Sequence, residues 1–230
     1  MCYSVESSAK TTLISLIAVI VLLQSNVTHF KWIALSLVGW CVMQFNELLL
    51  WLTNPRKECT DANKFITLVL TPLVILLQSL GTVLGSFFVK PWKECSENRK
   101  LFIVVYSLVV TFGLLFLFFR KIEKTCTVVT KSGHLHWFLT KYIPSTSTDY
   151  DYNYLMIYSI WFIVTLIPFL LWDVSYKIII VLCIIPIVGF FYGIKTDSAA
   201  SIWCHYSSYT SIVGLIIYGL YKFNIYNILK

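Results

Sequence analysis

Apolar residues in this chain come in blocks instead of alternating with polar ones. The blocks cover residues 11–23, 31–53, 64–89, 101–119, 154–172, 176–193 and 199–221. A run of about 20 apolar residues is long enough to cross the hydrocarbon core of a bilayer as a helix. The pattern predicts one polytopic domain over residues 1–230. It is an all-α integral membrane protein of seven transmembrane helices, at about 5–24, 31–53, 64–89, 101–119, 154–172, 176–193 and 199–221. Glu6 and Lys10 stand one helical turn apart in the favourable order, so the first helix starts near Ser4. A cleaved signal peptide is the poorer reading of this segment. Glu6 lies in what would be the basic region, and no small-residue cleavage pattern follows Leu23.

Local punctuation refines the blocks. Asn54-Pro55 stops the second helix, and Pro72 predicts a kink in the third. Gly81 and Gly85 form a GxxxG, which lets a neighbouring helix approach closely; packing within the chain is the favoured use. The one sizeable extramembrane segment is 120–153. There TCTVVT, KSG and HLHWFL read as a small β-hairpin between helices four and five. The polar stretch PSTSTDYDYN after it reads as irregular. No internal repeat is visible, which leaves an inverted-repeat transporter without support.

Composition agrees with the membrane class. Apolar residues make up 58% of the 230 residues and charged residues only 13%, with a mean hydropathy of +0.77. Soluble domains carry about 25% charged residues. The net charge of +7 is spread over short connections. It fits contact with lipid headgroups and argues against nucleic-acid binding. The bilayer is thus the expected partner, with a small ligand or ion as a second.

The seven cysteines are scattered, with no CxxC pair, and read as reduced or buried thiols. Span parity places the N-terminus, the loop after helix two, the 120–153 segment and the loop before helix seven on one side. About ten of the Lys and Arg residues lie there, so the positive-inside rule leans toward a cytoplasmic N-terminus. If that side is cytosolic, Cys59 and Cys126 are expected to be reduced. The sequon Asn26-Val27-Thr28 falls on the other side.

Candidate chemistry gathers on the N-terminal side. Glu47 interrupts the second apolar block, and Trp40, Gln44, Glu47 and Trp51 share a helical face. An intramembrane carboxylate is expensive and marks a functional site by default. The expected pocket comprises Glu47, Gln44, Gln78, Cys204, His205 and Ser208. His205 is a candidate partner for Glu47, and Gln78 is placed at a comparable depth. Cys2, Ser4, Glu6, Cys59, His134 and His136 are further contributors from that side. Tryptophans and tyrosines at helix ends read as an interfacial belt.

Other chemistries find less support. His134-x-His136 is a strand spacing, no zinc-module spacing occurs, and no cofactor is indicated. There is no GxSxG and no HExxH. Lys222 lies too near the end of the last helix for a retinal Schiff base. The D-R-Y and N-P-x-x-Y motifs of G-protein-coupled receptors are missing.

Met1-Cys2-Tyr3-Ser4, NELLLW around Glu47, Cys59, Gln78, SGHLHW at 132–137 and SIWCHYS at 201–207 carry a resemblance. Together they resemble a family of uncharacterised multi-pass membrane proteins that begin Met-Cys-Trp/Tyr-Ser. The family is found in large DNA viruses of protists and in bacteria. Bacterial members carry Pro-Ala-Ile-Trp-Cys where this chain has Ala200-Ser201-Ile202-Trp203-Cys204. The abundance of Ile and Lys fits the viral branch, which implies a host or virion membrane. The resemblance supplies topology and no mechanism.

The expected function is therefore a polar pocket on the N-terminal side that binds a small ligand, lipid headgroup or ion. The alternatives are a membrane enzyme using Glu47 and His205, with or without a metal, and a structural component of a viral membrane.

Overall fold

A computed structural model describes residues 4–119, 126–130, 133–137, 160–161, 163–165, 167–168, 176–194 and 199–223. Cys2 and most of the expected fifth helix, 154–172, lie outside these, as does the short link expected to make an antiparallel hairpin of helices five and six. The long helices are α1 (Val5–Leu23), α2 (Thr28–Leu52), α3 (Asp61–Phe65) continuing into α4 (Thr71–Val89), α5 (Glu97–Phe119), α6 (Tyr176–Ile194) and α7 (Ala199–Lys222). Residues 160–161, 163–165 and 167–168 are also helical. A two-stranded antiparallel sheet, β1 (Val128–Val129) and β2 (Leu135–His136), completes the described fold. Among the described residues three helices are long and apolar enough to cross a membrane: Val5–Leu23, Thr28–Leu52 and Asp61–Val89.

Helix starts differ from the hydropathy blocks where the first turn is polar. Ser4 caps α1, its hydroxyl accepting from the Ser7 amide at 3.2 Å, as the Glu6–Lys10 spacing implies. Thr60 caps α3 by accepting from the Asn63 amide at 3.1 Å, so this helix begins at Asp61, ahead of the apolar block. Asn54 ends the α2 exit in the left-handed region, φ 55°. Asparagine tolerates that conformation because its short polar side chain bonds locally.

The two intrahelical prolines are accommodated in different ways. A proline removes one amide and clashes with the carbonyl four residues earlier. Pro72 follows a π turn over Ile66–Leu70 and stands in the first turn of α4. Thr71 there gives both its amide and its hydroxyl (3.0 Å) to the Ile66 carbonyl, and Asn46 of α2 donates to the same hydroxyl at 2.9 Å. At Pro186 in α6 the unmatched carbonyl belongs to Leu182, and Thr210 of α7 donates to it at 3.4 Å. A neighbouring helix thus satisfies a carbonyl that has no water to turn to in an apolar setting.

α2 is the central helix, packed against α1, α4 and α7. Its contact with α4 is backbone to backbone. A Cβ on Gly39 would lie 2.5 Å from the Gln78 Cα and 2.8 Å from the Leu77 carbonyl oxygen. A Cβ on Gly81 would lie 2.8 Å from the Leu35 carbonyl oxygen. The GxxxG is therefore used within the chain, with Gly39 supplying the matching gap on α2.

The hairpin docks on the start of α3 through a side chain that imitates a backbone. Asn63, fully buried, accepts from the Thr127 amide through Oδ1 at 2.8 Å and donates to the Thr127 carbonyl through Nδ2 at 3.1 Å. Thr67 adds a hydroxyl contact to Thr127 at 2.9 Å. Cys59 and Cys126 are joined by a disulfide with their Cα atoms 5.7 Å apart. This corrects the expectation of reduced thiols. The pair is separated by 67 residues in sequence, so no local spacing reveals it; the helical packing between them brings the two ends together.

The tryptophans divide. Trp32, Trp40, Trp51, Trp137 and Trp203 are buried, whereas Trp92, beyond the end of α4, is 42% exposed. Trp203 packs edge-on against Trp40 and Trp161, with centroids 5.8 and 4.6 Å away.

Gly39→Ala should destabilise the protein by about 2 kcal/mol, since overpacking a tight contact costs roughly 1–3 kcal/mol. Gly113→Ala, where a Cβ meets nothing within 4 Å, should leave stability unchanged or slightly raised. Thermal unfolding in detergent compares the two, and equal effects would refute the close-approach account. Asn63→Ala should loosen the hairpin, because it strands the Thr127 carbonyl at a cost of about 1–3 kcal/mol. Faster hydrogen exchange at Thr127 with α1 and α2 unchanged is the expected reading.

Candidate functional site

The site is built on Gln44. Its face of α2 meets α1 and α7 together. Thr11 of α1 donates to Gln44 Oε1 at 3.0 Å, and Gln44 Nε2 donates to the Cys204 carbonyl of α7. One buried amide thus joins three helices. Deeper in the same junction Ser211 donates to Ser15 at 3.1 Å, and Cys41 Sγ lies 3.7 Å from the Thr12 carbonyl.

Stepping three residues from each member of this joint, toward the hairpin end, gives a polar layer. From Thr11 the step reaches Ser8, from Gln44 it reaches Glu47, and from Cys204 it reaches Ser201. A three-residue step keeps the same helix face and moves about 4.5 Å along the axis. α1 and α7 enter the bundle at the end where α2 leaves it, so all three steps run in the same direction. Ser8, Glu47 and Ser201 are each 0% exposed, and the hydroxyls of Ser8 and Ser201 have no hydrogen-bond partner. A buried hydroxyl without a partner costs about 1–3 kcal/mol. Each of the three helices that meet at Gln44 thus carries one buried polar side chain on the hairpin side of the joint, a carboxyl on α2 and hydroxyls on α1 and α7.

The other expected residues divide between this layer, its cover and the surface. Cys204 contributes its carbonyl to the Gln44 joint. His205, next to it, places Nε2 3.2 Å from the Tyr209 hydroxyl on its own helix. Ser208 donates back to the His205 carbonyl at 2.7 Å, so its hydroxyl is satisfied within α7. Ser4 serves as the α1 cap. Glu6 lies on the outer surface, paired with Lys10 at 2.6 Å, and is not a pocket residue. Cys59 is tied into the disulfide.

Gln78 does not sit at the depth of Glu47. Its backbone lies against Gly39, eight residues before Glu47 and so about 12 Å deeper along α2. The expectation paired them because depth was counted from helix ends and not from the contact that sets the α2–α4 register. Gln78 is itself fully buried, and both amide atoms lack a partner. It is a separate polar point on the α2–α4 seam.

Three contributors were missed from sequence. Ser8, Ser201 and Asn63 are ordinary polar residues near helix starts. The signal that finds the two serines is spacing: Ser8-x-x-Thr11 and Ser201-x-x-Cys204 match Gln44-x-x-Glu47 in step; Asn63 has no such signal.

The hairpin covers this end of the bundle. β2 packs on α7, and His134, Leu135, His136 and Trp137 are all buried. Consecutive residues of a strand point to opposite faces, so both faces of β2 are covered. Thr130 closes the turn, donating its amide (2.8 Å) and hydroxyl (3.1 Å) to the His134 carbonyl. Gly133 supplies the left-handed residue at φ 81°. Burial, with a further contribution from the nearby His205, lowers the His134 pKa to about 4. His134 is therefore neutral at pH 7. Among the described residues no group of three or more His, Cys, Asp or Glu side chains is placed to hold a metal ion.

No family model, curated protein or solved structure matches the chain.

The His134 shift sets a pH window. Its folded pKa is depressed below the ordinary 6.5, so the unfolded hairpin takes up a proton first as pH falls. Hairpin docking is fully stable above about pH 6.5 and weakens progressively toward pH 4. Hydrogen-exchange protection of the Thr130 amide should fall across that window, and His134→Gln should flatten the dependence. Protection unchanged between pH 7 and pH 4 would contradict it.

Proposed function

We propose that this chain is a seven-span membrane protein whose polar layer, Ser8, Glu47 and Ser201, binds a small ligand or ion through the Glu47 carboxylate. The spans are α1, α2, α3–α4, α5, the helical stretch around residues 160–168, α6 and α7. The distribution of side chains supports the membrane setting. Leu101 and Phe112 are 64% and 65% exposed, while Gln44, Glu47 and Gln78 are fully buried. That inverts the soluble pattern and suits an apolar solvent.

What supports the functional reading is the Gln44 joint together with burial: each of the three helices it joins carries a fully buried polar residue three positions toward the hairpin end, Ser8, Glu47 and Ser201. Two of the three hydroxyl or carboxyl groups are hydroxyls with no partner. Segments that carry the family resemblance, NELLLW, SGHLHW and SIWCHYS, supply Glu47, the covering hairpin and the α7 wall. A carboxylate acceptor selects a guest that presents a positive charge or an N–H or O–H donor.

The test is a thermal-shift titration of purified protein in lipid nanodiscs against alkali and alkaline-earth cations and small amines. Wild type should be stabilised by at least one. Glu47→Gln, which keeps the side-chain shape, should fold with a similar melting temperature and lose that shift. Ser8→Ala and Ser201→Ala should each weaken binding about tenfold, equivalent to about 1.4 kcal/mol. Identical responses of wild type and Glu47→Gln would refute the reading. Release of the chain from membranes by alkaline carbonate would refute the membrane setting separately.

A further inference from the structure

We infer that the hairpin end of the bundle faces an oxidising compartment, so that the Glu47 layer is served from the lumenal or extracellular side of its membrane. The inference rests on the membrane-spanning reading and not on the identity of the ligand.

The chain has cysteines in connections at both ends of the bundle, and they differ. At the hairpin end Cys59 follows α2 and Cys126 precedes β1, and the two are bonded. At the opposite end Cys95 sits in the α4–α5 connection as a free thiol, turned onto the Lys90 and Pro91 carbonyls at 3.7 and 3.5 Å. Cys41, Cys183 and Cys204 lie buried within helices and form no disulfide among the described residues. Disulfides form and persist in the secretory lumen and outside the cell, and are rare where glutathione keeps thiols reduced.

The pairing is built into the fold. The Asn63–Thr127 clip brings the start of α3 and the start of β1 together through groups other than the cysteines. The two thiols are thus held within reach of each other in the folded chain. Closing the bond removes two thiol hydrogens and two electrons, which the thiol-oxidising machinery of such a compartment accepts.

Charge agrees with this orientation when it is counted near span ends. The short α4–α5 connection and its flanks hold Lys90, Lys93, Arg99 and Lys100 within eleven residues. Basic residues in short connections carry the positive-inside signal, whereas those in long segments count for less. The 34 residues of segment 120–153 dilute theirs. Cys95 and its basic connection then face the cytosol. The sequon at Asn26 shares that side and stays unmodified. This reverses the cytoplasmic N-terminus that a whole-chain count favours.

The full chain, expressed in eukaryotic cells, is tested in sealed microsomes whose outer face is cytosolic. Free thiols are trapped at lysis with a permeant alkylating reagent, and peptides are mapped without reduction. The expected result is a Cys59–Cys126 linked peptide and an alkylated Cys95. A second sample is treated with a reductant and an impermeant maleimide. Cys59 and Cys126 should be labelled only after the vesicles are opened. Alkylation of both Cys59 and Cys126 at lysis would overturn the inference, as would their labelling in vesicles that remain sealed. Cys59→Ser with Cys126→Ser should still insert and fold through the Asn63 clip, and serves as the unlabelled control. Retention of the chain after alkaline carbonate is scored on the same vesicles, so a failure of membrane insertion is read apart from a failure of orientation.

Discussion

One side-chain amide ties three helices of this molecule together. Gln44 receives a hydrogen bond from Thr11 and gives one to the Cys204 carbonyl. In an apolar surrounding neither end of that amide has water as an alternative, so the three helices are fixed in rotation and in height relative to each other. The level of Ser8, Glu47 and Ser201 follows from this single joint. Without it three amphipathic helix faces would be free to slip, and the carboxylate would have no defined neighbours.

The rest of the bundle meets the same constraint, that every polar backbone group needs an internal partner. The π turn before Pro72 and the Thr210 contact behind Pro186 are two answers to one missing amide each. Asn63 extends the principle to the hairpin, where an amide side chain pairs with Thr127 as a strand would. Close helix approach comes from glycine. Gly39 and Gly81 let α2 and α4 meet at their backbones, and this contact sets Gln78 deep in the seam and away from Glu47.

Much of this was legible in sequence because it depends on local pattern. Apolar blocks gave helix positions, Asn54-Pro55 gave the end of α2, and the Gly turn gave the hairpin. Glu47 and Gln44 stood out because a polar residue in an apolar block is costly enough to need a reason. What stayed hidden depends on packing between distant segments. The Cys59–Cys126 bond joins positions that no spacing rule relates. The depth of Gln78 depends on which residue of α2 it touches. Ser8 and Ser201 look like ordinary helix-start serines until the Gln44 joint shows that each lies one three-residue step from it, as Glu47 does. Glu6, equally polar, lies outside because its helix face turns away from α2. The tryptophans make the same point: Trp203, near the start of α7, is buried by its packing on Trp40 and Trp161, while Trp92 stays exposed.

The central claim is that the Ser8–Glu47–Ser201 layer encloses a guest. A high-resolution structure of the protein in a lipid nanodisc addresses it most directly. The account predicts discrete non-protein density within hydrogen-bonding distance of the Glu47 carboxylate and of at least one of the two serine hydroxyls. Glu47 turned toward lipid would contradict it, as would the three side chains closed directly upon one another with no density between them.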